Sequence, residues 1–93
     1  MAQATISRFR HLIRTLDYVV STHTADKLED DHLTILALEN IVLTGQIVER
    51  QRDARSREIK YVIAGGALDG SAAQVVVKIG LAGKLVVITT YRC

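Results

Sequence analysis

Ile6, Phe9, Ile13 and Leu16 recur at steps of three and four residues with basic residues between them, the spacing that lines one face of a helix. This predicts an amphipathic helix from Thr5 to Leu16, with Thr5 or Ser7 able to cap its start. Tyr18, Val19 and Val20 are strand formers and read as a short extended link. Ser21 or Thr22 then caps a second short helix reaching Asp31, with Ala25 and Leu28 as its apolar face and Asp26 near its start, where the helix dipole favours negative charge. After a break at His32 to Thr34, Ile35, Leu38, Ile41 and Val42 share one side of a third helix, Ile35 to Thr44. Thr34 is its N-cap, and Gly45 stands where a C-cap belongs.

Beyond Gly45 the period changes and β-branched residues run between turn signals. Strands are expected over Gln46 to Arg50, Glu58 to Ala64, Gln74 to Ile79 and Lys84 to Tyr91. Gly65 to Gly70 and Gly80 to Gly83 would be hairpin connections. Arg50 to Arg57 is polar and aperiodic, a loop joining the first two strands. The run Leu85-Val86-Val87-Ile88 is apolar on both faces, which places the last strand centrally. The reading is one α+β domain over residues 1–93, with N-terminal helices packed on a four-stranded antiparallel sheet.

At 48% hydrophobic and 24% charged residues, the chain has the composition of a small globular domain. No stretch approaches the ~18 consecutive apolar residues of a membrane span, and the N-terminal segment lacks the apolar core of a signal peptide. Cys93 has no intramolecular partner, which fits a reducing cytoplasm and excludes a disulfide framework or a cysteine-based zinc site. With no Trp and one Phe, base-stacking sheets of the RNA-recognition type are poorly supplied.

The net charge of +2 hides a segregation that says more than the sum. Acids dominate from Asp17 to Glu49, where Lys27 is the one base. Bases dominate from Arg50 onward, and Arg8, Arg10 and Arg14 precede the acidic stretch. Basic flanks meeting in space would suit phosphates, and the expectation is that Arg50, Arg52, Arg55 and Arg57 lie on the same side of the sheet as the chemistry.

Gly65 to Gly70 is not a phosphate loop, because neither Gly-Lys-Ser/Thr nor a helix follows it. His11, His23 and His32 have no metal-ligand spacing, and Asp30-Asp31 point to different faces of a helix. His23 is the better candidate. It opens the second helix with Lys27 at i+4, so an imidazole able to exchange protons shares a face with an ammonium able to hold phosphate.

The order Thr22-His23-Thr24-Ala25-x-Lys27-Leu28, Leu33-Thr34, Gly45-Gln46-Ile47-Val48 and Ile88-Thr89-Thr90-Tyr91 resembles the bacterial domain-of-unknown-function family four-two-five-eight, over Tyr18 to Tyr91. That family is similar to BrnT- and RelE-type toxins, small metal-independent ribonucleases of the barnase, EndoU, colicin and RelE superfamily. The resemblance implies a RelE/BrnT toxin-like fold. His23 matches the family histidine, Lys27 falls at its first arginine, and Thr89 and Tyr91 match the threonine and tyrosine of its last strand. Asp31 stands where a second arginine is usual and His32 where glycine is usual.

The function implied is endoribonucleolytic cleavage, in which a ribose 2′-hydroxyl attacks the adjacent phosphate. His23 would be the general base or acid, Lys27 and Arg57 would stabilise the phosphorane, and Thr89 and Tyr91 would position the phosphate. Arg50, Arg52 and Arg55 would bind the flanking RNA. No metal or cofactor is called for; the partners would be RNA and a cognate antitoxin protein, in the cytoplasm and away from membranes. The alternative is a non-catalytic domain of the same fold that binds protein or nucleic acid.

Overall fold

In the computed structural model, which describes residues 2–68, 70–80 and 82–92, the change of period at Gly45 separates helices from strands with one exception. The helices are α1 (Ala2–Arg14), α2 (Thr22–Asp30) and α3 (Ile35–Thr44). The strands are β1 (Tyr18–Val20), β2 (Gln46–Arg52), β3 (Ile59–Gly66), β4 (Ala72–Ile79) and β5 (Leu85–Arg92). Asp69 and Leu81 of the expected turns, and Cys93, lie outside the described residues.

The exception is β1. The segment expected to be a link pairs in parallel with β5, Tyr18 opposite Leu85 and Val20 opposite Val87. The sheet is therefore five-stranded and mixed, in the order β1-β5-β4-β3-β2, rather than four-stranded and antiparallel. β4 is central, and β5 is interior because β1 covers its outer edge. The strand β3 also runs through Gly65 and Gly66, which pair with Ala73 and Ala72, so the hairpin turn is shorter than expected. At Gly65 a side chain would meet the Gly45 Cα and the Ile41 carbonyl, each at 3.1 Å. The two glycines let α3 pass close over β3.

One face of the sheet carries the helices. Ile6, Phe9 and Ile13 of α1 and Leu38, Ile41 and Val42 of α3 bury against Ile63, Val75, Val77, Leu85 and Val87. The Phe9 and Tyr61 rings meet edge to face at 5.2 Å. Leu16, expected on the apolar face of α1, instead leaves the helix in a left-handed conformation (φ 60°) and is exposed. In α2 the buried pair is Thr24 and Leu28 rather than Ala25 and Leu28.

Arg10 ties the helices together. The last turn of α3 contains no basic residue, and the Arg10 guanidinium of α1 donates to the Val42 carbonyl at 3.2 Å and the Gly45 carbonyl at 2.8 Å. A cation from elsewhere in the chain thus meets the negative end of α3. Among the described residues no helix is long and apolar enough to cross a membrane.

Candidate functional site

Among the described residues the opposite face of the sheet carries no helix, and it forms an open trough of about 470 Å³. Side chains alternate across each strand, so those not committed to the helix side line it: Val62 and Val76 on its floor, Lys60, Gln74, Ile88, Thr89 and Tyr91 around them, and Val48, Glu49 and Gln51 at the β2 end.

α2 stands at the β5 side of this trough, and the local sequence fixes it there. Ser21 is the N-cap, its hydroxyl accepting from the Thr24 N–H at 3.0 Å. The same hydroxyl donates to the Ile88 carbonyl at 3.2 Å, and the Thr24 hydroxyl, fully buried, donates to the Val87 carbonyl at 3.1 Å. The two side-chain oxygens lie 2.8 Å apart. β5 is irregular at this point. Val87 pairs with Val77 and Thr89 with Val76, which leaves Ile88 as an extra residue. The bulge turns Ile88 and Thr89 both into the trough, while Thr90 is buried on the helix side and donates to the Gln74 carbonyl at 3.1 Å.

α2 then runs beside the last residues of β5. The Lys27 Nζ lies 4.9 Å above the centroid of the Tyr91 ring, a cation–π contact. His23, one turn back on the same helix, is exposed to solvent. Lys27 thus meets Tyr91, which lines the trough together with Thr89, from elements more than sixty residues apart in the chain, and His23 precedes Lys27 by one helical turn.

The arginines are placed differently. β2 carries a bulge between Ile47 and Glu49, after which Glu49 pairs with Val62, Arg50 with Tyr61, Gln51 with Lys60 and Arg52 with Ile59. Cross-strand partners share a face, so Arg50 and Arg52 point with Tyr61 and Ile59 toward the helix side. With unbroken alternation from Ile47 they would have faced the trough; the extra residue at Val48 exchanges the two faces. Arg50 and Arg52 therefore face away from the trough that Thr89 and Tyr91 line, contrary to the expectation that they lie on the side of the chemistry.

Arg55 and Arg57 lie in the β2–β3 connection. There the Asp53 carboxylate accepts the N–H groups of Arg55 and Ser56, at 2.8 and 3.1 Å, and these hydrogen bonds hold its pKa below the ordinary value. Arg57 is left-handed (φ 60°) as the chain turns back. This connection hangs at the end of the sheet where β5 begins, whereas Lys27 stands by Tyr91 near the end of β5. That is roughly 20 Å along the strands and two strands across, at about 5 Å per strand spacing. Lys27 and Arg57 are not brought to one phosphate.

Lys60, Glu49, Gln51 and Gln74 had not been singled out from the sequence. The alternation of Ile59, Tyr61 and Ile63 with Lys60 and Val62 carried the signal for Lys60, but Glu49 and Gln51 depend on the β2 bulge. At the far end of α2, His32 is left-handed (φ 56°) and closes the helix, with the Leu33 N–H donating to the Leu28 carbonyl at 2.8 Å. Glycine would adopt this backbone conformation without the steric cost that His32 bears. The Asp31 carbonyl accepts from the Arg92 guanidinium at 3.1 Å, a further tie between α2 and β5. Among the described residues no three His, Cys, Asp or Glu side chains gather into a metal-binding group.

A family model described as "Domain of unknown function (DUF4258)" matches residues 20–92, which takes in every element from α2 to β5. No curated protein and no solved structure matches the chain.

Proposed function

The chain belongs to the DUF4258 family of unknown function, and we propose that it is a metal-independent endoribonuclease of the RelE/BrnT toxin-like kind. The observation that supports this reading is the contact of Lys27 with Tyr91, which joins the His23–Lys27 face of α2 to the Thr89–Tyr91 face of β5 above an open trough.

The reaction supplies its own nucleophile. The 2′-hydroxyl of the ribose attacks the adjacent phosphorus, and the bond to the 5′-oxygen of the next nucleotide breaks. The products are a 2′,3′-cyclic phosphate and a free 5′-hydroxyl. One proton must leave the 2′-oxygen and one must reach the 5′-oxygen, and the exposed His23 imidazole is suited to either transfer. Lys27 brings positive charge to the phosphorane, and the Thr89 and Tyr91 hydroxyls can donate to its oxygens. Lys60 replaces Arg50, Arg52 and Arg55 as the cation facing the bound strand. A toxin of this kind implies a cognate antitoxin, for which the open trough is the surface to cover.

The placement of the arginines away from the trough favours a second reading, a non-catalytic binding domain of the same fold. Purified chain incubated with mixed RNA in the presence of chelator separates the two. We expect cleavage with 2′,3′-cyclic phosphate ends, reduced ~100-fold to 10,000-fold by His23→Ala with RNA affinity retained. Folded wild-type chain that binds RNA and leaves it uncut would overturn the enzyme and leave the binding domain.

A further inference from the structure

The end of the trough remote from His23 has its own chemistry. The β2 bulge turns Glu49 and Gln51 into it, and the Gln51 side-chain amide donates to the Glu49 carboxylate. Lys60 lines the same trough on the neighbouring strand, paired in register with Gln51 and so diagonal to Glu49. Val62 and Val76, both buried, floor the space between these groups and Thr89.

A carboxylate and an ammonium diagonal to each other on one sheet face present two acceptor oxygens and, across from them, a donor group. Among the bases, the Watson–Crick edge of guanine is the complement, with O6 as acceptor followed by N1–H and N2–H as donors. Adenine and cytosine each present their amino group where Lys60 would also donate. Uracil offers Glu49 one donor, flanked by two carbonyl oxygens that the carboxylate repels. The apolar floor accommodates the face of a base, and Gln51 orients the carboxylate without filling both oxygens. From Thr89 to Glu49 the trough crosses three strand spacings, roughly 14 Å, so a base held here belongs to a nucleotide flanking the one at His23.

We propose that Glu49 and Lys60 form a subsite that reads an unpaired guanine, which makes the substrate single-stranded and guanine-containing. The proposal rests on the RNA-binding part of the reading above and not on cleavage. The Watson–Crick edge must be free to enter, so a guanine within a duplex is excluded.

The test measures binding of wild-type chain and Glu49→Gln to short labelled 2′-O-methyl oligonucleotides, which resist 2′-hydroxyl chemistry. One is all adenine, one carries a single central guanine, and one carries inosine in its place, which lacks the N2 amino group. Glu49 is exposed on an edge strand, so the variant should melt as wild type does. We expect guanine to tighten wild-type binding about tenfold over adenine, with inosine between them. Glu49→Gln should erase that preference and keep the affinity for the all-adenine strand. Equal binding of all three by wild type, or a guanine preference that survives in Glu49→Gln, would overturn the subsite and leave RNA binding standing. Absence of binding to every oligonucleotide would overturn the RNA reading together with it.

Discussion

Replacing Thr24 by valine keeps the shape of a fully buried side chain and deletes its hydroxyl. One hydrogen bond goes with it, the bond to the Val87 carbonyl at 3.1 Å; the Ser21 hydroxyl 2.8 Å away donates its own proton to the Ile88 carbonyl. The Val87 carbonyl keeps the Ser21 N–H at 3.2 Å, and the Ser21 hydroxyl keeps the Ile88 carbonyl, so neither partner is left bare. The lost bond is worth about 1 kcal/mol net. For a domain of this size that lowers Tm by roughly 4–8 °C. Thr24→Ser keeps the hydroxyl and loses one buried methyl, costing about 1 kcal/mol. The assay is thermal unfolding followed by circular dichroism, with Lys27 and Tyr91 resonances monitored in the folded state. Thr24→Val should loosen α2 on β5 and disturb the Lys27–Tyr91 contact, and Thr24→Ser should preserve it. A Thr24→Val protein as stable as wild type, or a serine variant that loses the contact equally, would refute the latch.

The left-handed His32 pays a conformational cost that glycine avoids, so His32→Gly should stabilise the chain by about 0.5–1 kcal/mol in a urea melt; destabilisation would show that the imidazole contributes more than its backbone costs. Tyr18 of β1 donates to the Glu39 carboxylate of α3 at 2.5 Å. Burial, that bond and the carboxylate charge push its pKa from 10.0 up to about 12. A raised phenol pKa means that the fold favours the neutral form. Its contribution to stability is therefore complete below pH 10 and is lost as pH rises through about 12. Titration by tyrosinate absorbance should show one late step that Tyr18→Phe removes, and an ordinary midpoint for that step would contradict the Tyr18–Glu39 bond.

The order of elements was legible because it is a local property. Period and capping residues act within a turn or two, and Ser21, Thr34 and the change of period at Gly45 placed α2, α3 and the strands that follow to within a few residues. The nearness of His23 and Lys27 was legible for the same reason, since i and i+4 are neighbours on any helix. The contact of Lys27 with Tyr91 depends on β1, whose three residues gain a strand's conformation only by pairing with β5. No local pattern encodes that partner. A segment this short is extended in isolation at best, and its hydrogen bonds come from the other end of the chain.

Which residues face the trough was settled later still, in the tertiary structure. Alternation along β2 reads the same in the sequence with or without an inserted residue. A single bulge at Val48 then reverses every side chain after it, sending Arg50 and Arg52 to the helix side and Glu49 and Gln51 to the open one. A strand's side-chain period is two, so one unpaired residue is half a period. The sequence determined a charge-bearing strand as far as Arg50, while Gln51 and Arg52, expected in the following loop, extend it by pairing with β3; only the register against β3 decided which charges the open face received.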